Sequence, residues 1–439
     1  MALRKLGLAA ILCATAYGQQ PNMEQILDKL NQLQQENQRL NREIDNLRQQ
    51  VLDLKAAKPA TPTDEKLDVL AQRVEDLDTS KVDTSGRFPL RLSGMVLMNS
   101  FLYAGHTGGA ELPAVAVPTR SQESGGGTFR NTQLAFLYSG SKGILGADLS
   151  ASLRLDFFGG SLNIQNHLAR IRTADVTLNW PTRSLSFAVD KPILSPHDPD
   201  SLSQLGIPPF ANSGNLWLWQ PQLRYEERVK FTESTGMRLR MGVYETNETL
   251  ASVPTGVRLS PSRPALQGRF ELFHATPNGR RFEIAPGFHV SRSLVAGTGI
   301  TSYAASVDWL APVAPRVDWT GFAFMGQDLT GLGIAAIHQA FTFRQGGVFA
   351  VRNRGGWTQL TLHANGLVDL NLIAGLEDDF NRDLAGNAIA RNFSYAANLR
   401  FHLAPNVVLG PEMMQIRTTY LMSGIQLVNR YDLALGYLF

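Results

Sequence analysis

Cysteine is nearly absent from this 439-residue chain, with Cys13 as its one copy. Cys13 lies in an N-terminal segment with Arg4 and Lys5 at a charged start, an apolar core from Leu6 to Ala16, and Ala16-Tyr17-Gly18 before Gln19. That order predicts a secretory signal over residues 1–18. A lipid-modified cysteine would want a small residue before it, and Leu12 is not small. Cleavage after Gly18 leaves a mature chain without cysteine, which excludes disulfides and thiol chemistry. Long apolar runs are missing too. Nothing after the signal offers the ~20 consecutive apolar residues that a spanning helix needs. A mean hydropathy of −0.12 excludes a helical membrane protein but leaves two folds open. A soluble globular protein looks this mild, and so does a transmembrane barrel, in which only every second residue faces lipid.

Charge of one sign is also lacking. The net charge of +3 is too small to point to nucleic acid as a partner. Lysine is scarce beyond Ser85: of 30 Lys and Arg set against 25 Asp and Glu, only Lys142, Lys191 and Lys230 are lysine. Arginine therefore carries the positive charge, and it stays charged at any working pH. No GxSxG or HExxH motif occurs, so no enzyme is expected. His197 with Asp198 and Asp200 in a polar loop is too weak a pattern to carry a metal site. No cofactor or metal is expected.

A heptad pattern follows the signal. Met23, Leu30, Asn37, Ile44 and Val51 fall at a positions, and Ile26, Leu33, Leu40, Leu47 and Leu54 at d positions. So narrow an apolar seam predicts a coiled coil over 19–57 rather than one amphipathic helix packed on a domain. Asn37 at an a position would fix its register. Branched residues at a with leucine at d favour two strands by peptide rules, whereas a larger oligomeric interface downstream would impose three, with the larger interface deciding. Pro59 and Pro62 break the helix. A linker with a second short helix, carrying Leu67, Leu70, Val74 and Leu77, is predicted over 58–85.

From about Phe88 the period changes to two. Ala147, Leu149, Ala151, Leu153, Leu155 and Phe157 fall on one face of a predicted strand, and Asp148, Ser150, Ser152, Arg154 and Asp156 on the other. Phe282, Ile284, Phe288 and Val290 repeat the alternation, as do Tyr303, Ala305, Val307 and Trp309, and Phe393, Tyr395, Leu399 and Phe401. Turns are predicted at Pro181-Thr182, Pro277-Asn278-Gly279, Ala311-Pro312 and Ala404-Pro405-Asn406. Longer insertions are predicted at His106–Thr128, Asp190–Gly214, Glu248–Arg263 and Glu377–Arg391. Short turns alternating with long loops are the arrangement of outer-membrane barrels. The expected fold is an all-β transmembrane barrel over 86–439, preceded by the α-helical coiled coil. At ~10 residues per strand plus connections, about 16 antiparallel strands fit.

The chain ends on an alternating ladder: Tyr431, Leu433, Leu435, Tyr437 and Phe439 on one face, Arg430, Asp432, Ala434 and Gly436 on the other. Such an end resembles the signal read by the barrel-assembly machinery. It offers an apolar edge strand, ready to pair and close the barrel against outer-membrane lipid. This phase makes Arg430 and Asp432 lumenal. Arg154 is lumenal by the same argument. Arg170 and Arg172 share a face, although Ala174, Val176, Leu178 and Trp180 have the same parity and leave the phase open. Arg224 with Arg228, and Arg238 with Arg240, also share parity. A row of guanidinium groups in a narrow water-filled pore would concentrate anions. Pairing with Asp148, Asp156, Glu226 or Glu227 would merely brace the wall, and both readings stand. Lys191 joins the pore-lining candidates. The 190–212 segment, with Asp190, His197, Asp198, Asp200 and Pro208-Pro209, is expected to fold inward as a constriction, because proline supplies rigidity.

Taken together, a signal, a coiled coil and a barrel of this length resemble the DcaP-like outer-membrane porins. Leu92-Ser93-Gly94, Arg170-Ile171-Arg172-Thr173-Ala174, Gln220-Pro221-Gln222-Leu223-Arg224-Tyr225, Gly321-Phe322-Ala323-Phe324 and Gly355-Gly356-Trp357 carry the resemblance. Asp190-Lys191-Pro192 departs from the Gly-Gln-Thr-like segment of that family. The resemblance implies a homotrimer, a periplasmic coiled coil, and passive diffusion of small, often anionic solutes. A structural envelope protein, tethering outer membrane to cell wall through its coiled coil, is the competing expectation.

Overall fold

Alternating residues give long antiparallel strands, and in the computed structural model these strands close into a barrel. The structure describes residues 90–439, apart from 109, 120–122, 141–143, 161–166, 247–256, 258, 277–278 and 334–337. The chain divides into two units, 1–83 and 84–439. The signal, the coiled coil and the linker fall outside the described residues, as do Leu30, Leu33, Asn37, Leu40, Ile44, Leu47, Val51 and Leu54.

The strands are β1 (Leu90–Gly105), β2 (Ser124–Thr128), β3 (Gln133–Gly140), β4 (Asp148–Gly159), β5 (Leu168–Asn179), β6 (Arg183–Asp190), β7 (Gln220–Lys230), β8 (Thr235–Tyr244), β9 (Leu259–Ala275), β10 (Arg281–Val295), β11 (Thr298–Ala314), β12 (Val317–Gln327), β13 (Phe341–Arg344), β14 (Gly347–Ala350), β15 (Arg352–Asn365), β16 (Val368–Asp379), β17 (Ile389–Ala404), β18 (Val407–Tyr420) and β19 (Gly424–Leu438). β13 and β14 form a separate hairpin. The other 17 strands form one sheet. Within it, β2 pairs with Asn99–Tyr103 of β1 and β3 with Leu90–Met95, so the two are one wall strand interrupted at 129–132. The wall therefore has 16 positions. It closes where β1 pairs with β19, from Met95 opposite Leu438 to Gly105 opposite Val428. Closure leaves no unpaired edge, which a lipid-embedded sheet requires.

The packing is inside out. On β19, Tyr431, Leu433, Leu435 and Tyr437 are exposed on the outer face, while Arg430, Asp432, Ala434 and Gly436 point inward and are buried. The terminal Phe439 exchanges backbone hydrogen bonds with Gly94 of β1, at 2.9 and 3.1 Å. The buried interior is rich in polar groups, among them Asn99, Asp156, Gln267, Arg269, Glu271, Asp308, Asn371 and Asn392. A polar lumen and an apolar skin are what a barrel in lipid demands.

Connections at one end are short: 180–182, 231–234, 276–280, 315–316, 366–367 and 405–406. At the other end most run long, at 106–123, 160–167, 191–219, 245–258, 328–351 and 380–388, with tight turns only at 296–297 and 421–423. Three predicted turns fall at such connections. The fourth, Ala311-Pro312, does not: both residues continue β11, and the chain reverses at 315–316. Proline cannot donate to the ladder, and the register shifts between Pro312 and Ala314 to accommodate it. Three predicted insertions also shrink, because Ser124–Thr128, Leu259–Arg263 and both Glu377–Asp379 and Ile389–Arg391 stay in the ladder. The 328–351 connection, with its β13–β14 hairpin, was not foreseen. Its apolar residues, such as Phe341, read like wall residues.

Candidate functional site: the lumen and its inward segment

The widest departure from the wall is the segment 191–219, which leaves β6 and returns as β7. It is held first by its own residues. The Lys191 Nζ donates to Asp198 Oδ1 and to the His197 carbonyl, both at 2.6 Å. Asn215 Nδ2 donates to the same Asp198 oxygen at 2.8 Å and to the Pro209 carbonyl at 2.9 Å. Burial lowers the Lys191 pKa in spite of its carboxylate partner. Burial alone would raise Asp198, but the Lys191 ammonium and the Asn215 amide outweigh it and bring Asp198 below the usual carboxylate range. Lys191, expected to line the pore, is instead consumed inside the segment as an internal tie.

The segment is then fastened to the wall all round. Gln267 Oε1 of β9 accepts from the Ile193 amide at 2.7 Å. Asp200 is bound at its amide and carboxylate by Gln359, each at 2.8 Å, and at its carbonyl by Asn398 at 2.8 Å. Arg400 approaches its carboxylate at 3.4 Å. Asn131, in the interruption between β2 and β3, accepts from the Leu205 and Gly206 amides at 3.2 and 2.9 Å. Asn392 donates to the Asn212 carbonyl at 2.8 Å, and Ser213 meets Ser394 at 2.8 Å. Phe210 lies over Gly375, where any Cβ would overlap it. Gly214 sits at φ +98° with its Cα against the Gly356 backbone, so both its conformation and its contact demand glycine. Apolar packing adds to this: Leu194 and Leu216 of the segment cluster with the inward-pointing Phe322, Phe324 and Trp357. The glycine- and aromatic-rich stretches that carried the family resemblance are thus the wall on which the segment rests.

Two further connections enter the lumen. Ala116 of the 106–123 connection donates to Thr418 at 2.8 Å and accepts from Tyr420 at 3.0 Å. Glu111 pairs with the buried Arg130 at 2.6 Å. The 328–351 connection brings Leu329 and Leu332 onto the apolar cluster, and Leu332 accepts from the Trp217 amide at 3.1 Å.

The arginines gather on β4, β5, β7 and β8. The phase left open on β5 has a structural answer. Arg154 lies opposite Thr173, yet the next residue, Leu155, lies opposite Ile171, so Arg172 is the extra residue of a β-bulge. Below the bulge Asp175 and Thr177 face inward, and above it Arg172 and Arg170 do. Ala174, Val176 and Leu178 therefore face out despite sharing parity with the arginines. Arg170 holds Asp156 in a two-pronged pair at 2.7 and 2.9 Å, and also donates to the Gly206 carbonyl. Arg172 donates to the Leu205 carbonyl and lies 4.7 Å from the Trp219 ring centre. Arg224 reaches Asp190 at 3.2 Å. Glu226 is shared by Arg240 at 2.6 Å, Arg228 at 3.6 Å and Arg238 at 3.8 Å, and Arg238 also lies 3.6 Å from Glu271. Arg154 and Arg172 have no carboxylate within 4.0 Å among the described residues. Most of the predicted row therefore braces the wall, and Arg154, exposed on the inward face, is the member most open to a solute.

Across the lumen stands a mixed array. Arg269 grips Asp308 at 2.8 and 2.6 Å, and Glu271 besides. Arg281 pairs with Glu283 at 2.5 Å. His197 faces this array, 3.6 Å from Asp308 and 3.9 Å from Glu283. Burial lowers the His197 pKa, with the neighbouring Arg269 and Lys191 working in the same direction against Asp308. His197, Asp198 and Asp200 do not converge: they serve the Arg269 array, Lys191 and Gln359 respectively. Asn131, Gln359, Asn392 and Asn398, which anchor the segment, escaped the sequence reading. Their only signal was a polar residue at an inward position, which fits any lumen residue.

A closed sixteen-position barrel with a polar interior and an inward segment is the porin-type barrel fold. Known structures share it. The crystal structure of the outer membrane channel DcaP of Acinetobacter baumannii is similar to this chain with a TM-score of 0.67 at 17% identity, over 80% of this chain and 97% of that one. An anion-selective porin from Comamonas acidovorans is similar with a TM-score of 0.50 at 12% identity, over 80% and 99%. No protein-family profile and no curated protein sequence matches the chain. The resemblance to DcaP-like channels met in the sequence is thus also a resemblance of fold.

Proposed function

We propose that this chain is an outer-membrane porin for passive diffusion of small hydrophilic solutes, with a preference for anions. The observation that carries the reading is the inward segment. A barrel serving only as an anchor has no use for a lumenal constriction fastened to strands on every side, and this favours the porin over the envelope tether. The anion preference rests on Arg154, exposed on the inward face with no carboxylate within 4.0 Å among the described residues, and on the arginine-dense wall around it. The mechanism needs no cofactor and no catalytic group. Folding into trimers, with residues 19–57 as a periplasmic coiled coil after removal of 1–18, belongs to the same reading, as does insertion by the barrel-assembly machinery through the Tyr431–Phe439 ladder. Purified protein in planar lipid bilayers is expected to give discrete conductance steps, and a KCl gradient should shift the reversal potential toward chloride. Membranes that stay silent would sink the porin reading, and a reversal potential at zero would remove the anion preference.

A further inference from the structure

Outside the arginine wall, one cluster of chemically able side chains has no role in the permeation reading. His338 comes from the 328–351 connection, and Glu377 and Asp379 from neighbouring inward positions at the end of β16. All three side chains are at most 1% exposed. His338 Nδ1 lies 2.8 Å from Asp379 Oδ2 and 3.6 Å from Glu377 Oε1, and one donor atom from each residue falls within 4.8 Å of the others. Two carboxylates and one imidazole are shut away from water with no arginine or lysine pairing with them among the described residues.

The site is also short of hydrogen bonds. No hydrogen bond of good geometry reaches either oxygen of Glu377, Asp379 Oδ1 or His338 Nε2, and only the Gly214 and Asn212 backbones come near Glu377 and His338. Asn353, directly across from Asp379 on β15, is buried with its side-chain oxygen unpartnered as well. Buried unpaired carboxylate oxygens are expensive, and five such atoms in one pocket need a common explanation.

We propose that His338, Glu377 and Asp379 form a divalent-metal site, and that its occupant is zinc. A tetrahedral zinc with bonds of about 2.0–2.1 Å sets its ligand atoms about 3.3 Å apart, and the observed 2.8 and 3.6 Å bracket that spacing. One imidazole with two carboxylates is a donor set that zinc accepts, whereas calcium and magnesium take oxygen donors. The metal's two positive charges balance the two carboxylates. The Asn353 oxygen, on the same inward face, or a water completes the fourth position. Metal-bound histidines pass their second ring nitrogen to a backbone or carboxylate oxygen, and the Asn212 backbone lies against His338. Gly214 likewise lies against Glu377. The site therefore joins the outer connection, the wall and the 210–214 corner of the inward segment, and a bound ion would clamp all three.

The test uses full-length protein without a histidine tag, stripped with EDTA in detergent and titrated with zinc chloride. After desalting, the wild type is expected to keep one zinc per chain by elemental analysis. His338→Ala and Glu377→Gln should each bind at least tenfold more weakly, with folding checked by heat-modifiable gel mobility. Hydrogen exchange across 328–351 should slow in the zinc-loaded wild type relative to the stripped one, a readout that needs no variant to fold. Absence of retained zinc overturns the proposal. So does equal retention by folded variants, which would place the metal elsewhere, for instance at His363 and His402 by the short-turn rim. Retention of calcium in its stead, or exchange across 328–351 that ignores zinc, overturns it too.

Discussion

At the scale of single residues, the lumen separates charges that hold from charges that are open. Arg154 belongs to the second kind, so Arg154→Ala should reduce the proposed chloride preference while leaving the fold intact. The reversal potential in a salt gradient should move toward zero, and a parallel Arg224→Ala should act less, because Asp190 already occupies that guanidinium. Gly375→Ala places a methyl group into Phe210 and the Ser213 carbonyl. It should cost about 1–3 kcal/mol by thermal melting. Acid should loosen the inward segment in two stages. The seated His197 has a pKa below its ordinary 6.5. Once pH falls below that value, the released segment takes up a proton that the seated one refuses, so seating weakens as pH drops. Asp198 has a pKa below its ordinary 3.8. Its share of the stability is present above 3.8 and is lost as pH falls further, through the depressed value. Fluorescence of Trp217 and Trp219, both on the segment, should report the first loss below about pH 6.5. A flat signal down to pH 4 would contradict it.

At the scale of elements, the period-two reading succeeds wherever the ladder is regular and fails where it is not. β19 was legible almost in full, because its alternation runs unbroken from Arg430 to Tyr437. β5 was not, since one inserted residue, Arg172, swaps the faces midway. A sequence carries no mark of a bulge except the contradiction it produces, here arginines sharing parity with Val176 and Leu178. The broken wall strand β2–β3 was hidden for a like reason: Arg130 and Asn131 resemble loop residues, and the preceding glycines resemble a linker. The inward segment was legible as an insertion rich in proline. Its anchors were not, because they lie on strands up to 210 residues away. The His338 cluster has even less signal, joining a lone histidine to an i, i+2 acidic pair. The bulge makes a firm prediction. Deleting Arg172 should put β5 in continuous register with Arg170 still facing inward opposite Asp156. Folded yield by heat-modifiable mobility should stay close to that of Arg172→Ala, and a collapse confined to the deletion would contradict the bulge.

At the scale of the whole molecule, closure is made by the first and last wall strands. Removing Phe439 takes away the backbone pair with Gly94 and the last rung of the apolar ladder. The folded fraction recovered from membranes should drop several-fold, while the melting temperature of the molecules that do fold should change little. If residues 19–57 act as a three-stranded zipper, chemical crosslinking in mild detergent should show trimers, and a chain lacking those residues should crosslink less efficiently.

The fastening of the inward segment also imposes an order of events. Its partners Asn392, Ser394, Asn398 and Met414 are made some 180 to 210 residues after it. Asn99 and Asn131, on the first wall strands, face it from the other side. The segment's seat therefore cannot be complete until β17 and β18 have been made. A chain that stalls before those strands would hold the segment by its early partners alone, so a shortened chain ending before β17 should show the segment open to protease.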